Sequence, residues 1–204
     1  MKKQIIGMVL VCVMVIGMSA SASAATLTLD EETKEEYYLE YIEIAKEVSK
    51  EAELDISVLP IDEFQEEDWR APQEFRDFIT EVAYWHLTCT DSGDDTLTRS
   101  TASATKSTTV TADGRSYTLS ITGSFKTDLN TSFGQQRFSG INSITSKLTG
   151  STGTWTLTGY ESQSMDAART YGVTVSGKLT IAGAVFSNKL AYVEFYCNGQ
   201  GVVS

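Results

Sequence analysis

Residues 110–121 read VTADGRSYTLSI, with apolar side chains on alternate positions either side of Asp113-Gly114. A period of two marks a strand with one buried face, and Asp-Gly tolerates the positive φ angles of a type I′ hairpin turn. A two-residue turn pairs Ala112 with Arg115 and Val110 with Tyr117. Val110, Tyr117, Leu119 and Ile121 then share one face, while threonines and serines take the other. The alternation recurs downstream. Trp155 and Leu157 stand together in TWTLTG, and Tyr171, Val173, Val175, Leu179 and Ile181 line up in YGVTVSGKLTIAG, where Gly177 marks a bend or bulge. Ala191, Val193, Phe195 and Cys197 group in AYVEFYC. Five to seven antiparallel strands are predicted, buried as a β-sandwich or a small β-barrel.

Upstream the period becomes that of a helix. Thr28 and Glu31 have capping-box spacing, and Tyr38, Ile42, Ala45, Val48 and Ala52 follow at helical intervals among Glu and Lys. The pattern fades at residues 52–55. Pro72 suits the first turn of a second helix, in which Phe75, Phe78, Ile79, Val82 and His86 share a face. Two such helices must pack on each other or on the strands to bury their stripes. The expected fold class is α+β: a short acidic N-terminal helical region, then an antiparallel β-sandwich or small β-barrel.

Composition changes where the period does. Residues 26–95 hold 22 Asp+Glu against 5 Lys+Arg, whereas residues 96–204 hold 5 against 9. Ser and Thr make up 36 of those last 109 residues, which suits solvent-facing strand positions without invoking a ligand. The boundary falls in the turn-rich DSGDDTLTRSTASA. Three segments are expected: residues 1–25, 26–95 and 96–204.

The first has the form of a signal peptide. Lys2 and Lys3 precede an apolar run over residues 5–18, and Ala22 and Ala24 give a small-residue cleavage pattern near Ala25. The run is shorter than a membrane span, so no transmembrane anchor is expected after cleavage. Cys12 lies inside the run behind bulky Val11, which argues against lipidation. A secreted, extracellular location follows, with association at the cell surface. Cys89 and Cys197 then remain, and in an oxidising location they are expected to form one disulfide clamping the two halves.

Candidate chemistry is sparse. The single histidine, His86, sits on the apolar stripe of the second helix and reads as structural. With one histidine and two paired cysteines the usual zinc ligand set is missing, and no G-x-S-x-G elbow supports a serine triad. In DEFQEEDWRAPQEF, over residues 62–75, Glu63, Glu66, Glu67 and Asp68 are the carboxylates a glycosidase would draw on. They read instead as a charged loop and helix start, anchored by Phe64 and Trp69. DSGDD offers oxygen ligands but lacks the spacing of an EF-hand loop. No catalytic residue, cofactor or metal is assigned. A net charge of −11 repels nucleic acid.

Trp155 and Tyr160, in GSTGTWTLTGY, are the candidate binding residues: an aromatic platform for a cell-wall, glycan or protein partner. Trp155 alternates with Leu157 and so suits the core, which makes Tyr160 the more exposed of the two. The expected function is a secreted or cell-surface-associated, non-enzymatic binding protein with an unidentified ligand. The alternatives are a carboxylate-based, glycosidase-like hydrolase and a membrane-active β-rich protein.

The acidic helix, the Leu-Pro-x-x-x-Phe step at Leu59, Pro60 and Phe64, and the Glu-Phe-Arg at Glu74 to Arg76 carry a resemblance. Over about residues 30–80 the chain resembles the N-terminal portion of small secreted proteins of Gram-positive bacteria. That resemblance implies export and brings no catalytic residue with it.

Overall fold

The structure, a computed structural model, describes residues 29–90 and 102–204. The expected signal segment, Thr28 and the DSGDD stretch lie outside the described residues. Helix α1 (Glu31–Ala52) starts at Asp30, whose carboxylate accepts the Thr33 N–H at 2.8 Å. It stops at Glu53, which takes the left-handed conformation at φ 53°. Its buried residues are Tyr41, Ala45 and Val48, so the apolar stripe centres on Tyr41 rather than on Tyr38 and Ile42. Helix α2 (Pro72–Ala83) has Pro72 in its first turn and buries Phe75, Phe78, Ile79 and Val82, as their spacing predicts. His86 departs from expectation: the helix ends at Ala83, and His86 is exposed in the link that follows.

Tyr41 holds the helices together. Its ring stacks on Phe75 with centroids 4.0 Å apart, and its hydroxyl donates to the Arg70 carbonyl and accepts the Arg70 N–H. Burial pushes this phenol up to about 12. The acidic stretch between the helices folds as two single 3-10 turns, Ile61–Glu63 and Glu66–Asp68. Phe64 and Trp69 pack around Tyr41, as expected of anchors.

The strands are β1 (Asp55–Val58), β2 (Leu87–Cys89), β3 (Ser103–Ala112), β4 (Arg115–Asn130), β5 (Gln135–Gly150), β6 (Thr154–Met165), β7 (Thr170–Ile181) and β8 (Ala184–Tyr196). One antiparallel sheet runs β3-β4-β5. Its first hairpin has the register that the sequence predicts, with Ala112 opposite Arg115 and Val110 opposite Tyr117, and with Asp113 and Gly114 at φ 51° and 68°. The other sheet runs β6-β7-β8, and both β1 and β2 pair with the far edge of β8, antiparallel and parallel respectively. The two sheets pack face to face as a sandwich; they do not close into a barrel.

The acidic half therefore does more than pack against the strands. It supplies β1 and β2 to the larger sheet, and α1 and α2 share one core with Ala112, Tyr117, Leu179, Ile181 and Phe186. A second core between the sheets includes Leu119, Ile121, Val175, Val193 and Phe195. Trp85, Val110 and Trp155 pack against both.

The expected disulfide is corrected by this topology. Cys89 and Cys197 are buried free thiols. Cys89 lies opposite Val193, and the four further residues to Cys197 span about 13 Å of strand, well beyond disulfide reach. Burial pushes the Cys89 thiol up to about 11.

Lys189 is the other buried polar group of consequence, at 4% exposure on β8. It follows Asn188, which has a positive φ, where the β7–β8 register shifts. Its ammonium donates to the carbonyls of Val82 (2.9 Å) and Ala83 (2.6 Å) at the end of α2. Cations suit that end of a helix, whose last carbonyls lack intrahelical partners. Burial nevertheless lowers the ammonium to about 8 from its ordinary 10.5.

Three outcomes follow from this packing. In denaturant without reductant, both Cys89 and Cys197 should react as free thiols; in the folded protein they should be protected from alkylation. Lys189→Met should lower the free energy of unfolding by about 1–3 kcal/mol, because the Ala83 carbonyl loses its donor. A lysine with a depressed folded pKa binds fewer protons folded than unfolded, so its contribution to stability rises as pH climbs from about 8 to 10.5. Urea unfolding should show the gap between wild type and K189M widening across that window.

Candidate functional site

Strand pairing decides which side chains meet on each face, because residues directly opposite in an antiparallel pair point the same way. On β8, Ala191, Val193 and Phe195 are buried, so Leu190, Tyr192, Glu194 and Tyr196 face out. Thr174 lies between Tyr192 and Glu161, and Gly172 lies between Glu194 and Gln163. The outer face of the larger sheet thus carries tyrosines beside carboxylate, amide and hydroxyl groups.

Gly172 shapes this surface. A Cβ there would come 2.7 Å from the Tyr192 hydroxyl and 3.0 Å from the Met165 methyl, so the missing side chain is what lets the ring lie across β7. The Tyr192 hydroxyl donates to Glu194 Oε1 at 2.8 Å. That bond, with burial second, raises the phenol above its usual pKa. Beside the ring lies an open cleft of about 160 Å³, lined by Glu161, Ser162, Gln163, Gly172, Thr174 and Tyr192. It offers a half-exposed aromatic ring, two acceptor-rich side chains and a hydroxyl on rigid strands.

Both sequence-selected aromatics lie elsewhere. Trp155 opposes Leu179 on the inner face, lies over Gly177 and donates its indole N–H to Ser146 Oγ at 2.7 Å. That bond joins the two sheets, and the ring packs into the core. Tyr160 opposes Val175, also on the inner side, and is 43% exposed because β6 is an edge strand. The two residues do not form one platform. Tyr192 and Tyr196 are the solvent-side neighbours of Val193 and Phe195 in the same alternation, AYVEFYC, that marks the buried face.

The carboxylates of residues 62–75 do not assemble a site. Glu63, Glu66 and Glu67 are exposed, while Asp68 is buried and accepts the Gln65 N–H in a capping box. Burial raises Asp68 above the usual carboxylate pKa, yet the group is committed to that cap. On the outer sheet face Glu161 and Glu194 are both exposed, two strands and two residues apart, about 12 Å between Cα atoms.

The Ser/Thr face of the smaller sheet has a structural explanation. Thr105–Thr122, Ser107–Ser120 and Thr109–Thr118 join hydroxyl to hydroxyl across β3 and β4 at 2.7–2.9 Å. Such cross-strand pairs stabilise a sheet.

The fold and cleft define an α+β protein whose larger sheet presents a polar and aromatic outer face. No family model matches the chain, and neither the curated proteins nor the solved structures contain a significant match to it.

The role of Trp155 gives a direct check. A Cβ at Gly177 would overlap the indole, whereas one at Gly159 would meet nothing within 4 Å. Gly177→Ala should destabilise the protein by about 1–3 kcal/mol in urea unfolding, and Gly159→Ala should cost far less.

Proposed function

We propose that this chain is an exported, non-enzymatic binding protein that acts at or near the cell surface, with the Tyr192 cleft as its contact point. The supporting observation is the ring of Tyr192 over Gly172, fixed by Glu194 and flanked by Glu161, Gln163 and Thr174. An aromatic face stacks on the apolar side of a pyranose ring, and the surrounding amide, carboxylate and hydroxyl groups match sugar hydroxyls. The cleft is smaller than the roughly 300 Å³ at which pockets enclosing a whole small molecule begin, so it suits one unit of a longer chain. A cell-wall polysaccharide or another surface glycan is the partner this chemistry fits best. Export rests on the signal-like first 25 residues and on the resemblance to secreted proteins of Gram-positive bacteria.

Binding to insoluble cell-wall fractions and to a panel of soluble glycans tests this reading. Tyr192→Ala should reduce retention by about tenfold, the loss of roughly one stacking contact, with the melting temperature nearly unchanged. Gly172→Val should act similarly by filling the cleft. Tyr160→Ala, on the opposite face, should retain binding. Equal retention by wild type and Y192A, or retention lost through Tyr160 alone, would remove the cleft from consideration.

A further inference from the structure

Edges of β-sheets expose unpaired backbone groups, and folds usually cover, bend or charge them. Here the far edge of β8 is met in turn by β1, β2 and the tail residue Val203. The β5 edge receives Gly199 and Ala168 through the Gln136 and Phe138 N–H groups, is bent by two register shifts, and carries Arg137 and Lys147. Strand β3 is bridged by Thr90 and has Lys106 buried along its length. Strand β6 is treated differently: no described strand pairs with its outer edge.

The regular part of that edge is well bounded. A register shift between Leu157 and Gly159 ends it on one side, and the turn at Asp166 ends it on the other. Between them Gly159 to Met165 pair one-to-one with β7, without Lys, Arg or Pro. The midpoint is Ser162, which is exposed.

We propose that two copies of this chain pair antiparallel through their β6 edges, about a two-fold axis at Ser162, to form one continuous ten-stranded sheet. A two-fold perpendicular to a sheet must lie midway between two copies of one residue, because opposed side chains have to lie on the same face. At Ser162 it uses the whole regular segment. Glu161 then faces the second copy's Gln163, an amide against a carboxylate. Tyr160 faces Ser164, and Met165 faces Gly159, so each large side chain meets a small one. Moving the axis to Glu161 would set two carboxylates directly opposite, which is unfavourable. Moving it to Gln163 would run Tyr160 against the turn residue Asp166. The surface is therefore self-complementary in size, charge and register at one position. Pairing places the two Tyr192 clefts on one continuous face, but it depends only on the edge and is read without any ligand.

Cysteine cross-linking tests the axis directly. Directly opposed residues lie about 4.5–5.5 Å apart at Cα, within disulfide range. Cys89 and Cys197 are buried, so an introduced surface thiol is read separately. Ser162→Cys should oxidise to a covalent dimer, and Ser164→Cys, which faces Tyr160, should do so at least about tenfold more slowly. In light-scattering chromatography the wild-type mass should double as concentration rises. Ser162→Lys and Ser162→Glu should each remain monomeric with unchanged melting temperatures, and mixing them should restore a dimer. A chain that stays monomeric throughout the micromolar to millimolar range would overturn the proposal. So would a dimer that survives S162K, cross-linking that favours position 164, or an edge that accepts extended peptides from other proteins while the chain itself stays single.

Discussion

Strand β8 has backbone groups on two edges, and pairing both of them organises the molecule. Strand β7 satisfies one edge along most of its length. The other is completed piecewise: β1 opposite residues 184–187, β2 opposite residues 191–193, and the tail at Cys197. Between β1 and β2 the strand bulges, and Lys189 turns from the sheet to the last carbonyls of α2. Each segment that completes this edge brings an element with it. Strand β1 fixes the end of α1, β2 fixes the exit from α2, and the lysine clamps α2 itself. Burying a backbone edge without partners would be costly, so the helical region is required by the sheet as much as supported by it.

Charge contributes little to that union, despite the contrast between the halves. Arg70 with Asp113 is an ion pair between them, and Asp113 is 45% exposed on its side chain, where screening leaves such a pair little weight. The join is made by apolar packing around Tyr41, Phe75, Tyr117 and Phe186, and by backbone pairing. The acidic residues of α1 face solvent, where their repulsion is dissipated and solubility benefits. The larger sheet buries the inner face of β7 and β8 and leaves their outer face open, with Tyr192 and Tyr196 on a rigid support.

Much of the strand architecture was written in the alternation. A period of two with Asp-Gly between two runs leaves one hairpin register that keeps Val110 and Tyr117 on a common face, and that register is observed. The second helix was equally legible, since Pro72 and four apolar residues at helical spacing specify both its start and its buried side. Strands β1 and β2 were not. Four and three residues are too short for a period to show, and their strand conformation exists because β8 offers them an edge. His86 was misplaced because helical spacing continues on paper after the helix has stopped at Ala83.

The candidate site divides the same way. Sequence alone determined that alternate residues of β6, β7 and β8 point to opposite faces, because Cβ direction along a strand is a local property. It could not say which strands are neighbours, and so could not bring Tyr192, Gly172 and Glu161 together from three separate segments. Nor could it show that Trp155 closes over Gly177 and binds Ser146 on the facing sheet, or that Cys89, on β2, meets β8 at Val193, four residues short of Cys197. Faces follow from the chirality and pleat of a single strand, whereas sites and cross-links depend on strand order and register. Those are set by long-range pairing, and only the tertiary structure decides them.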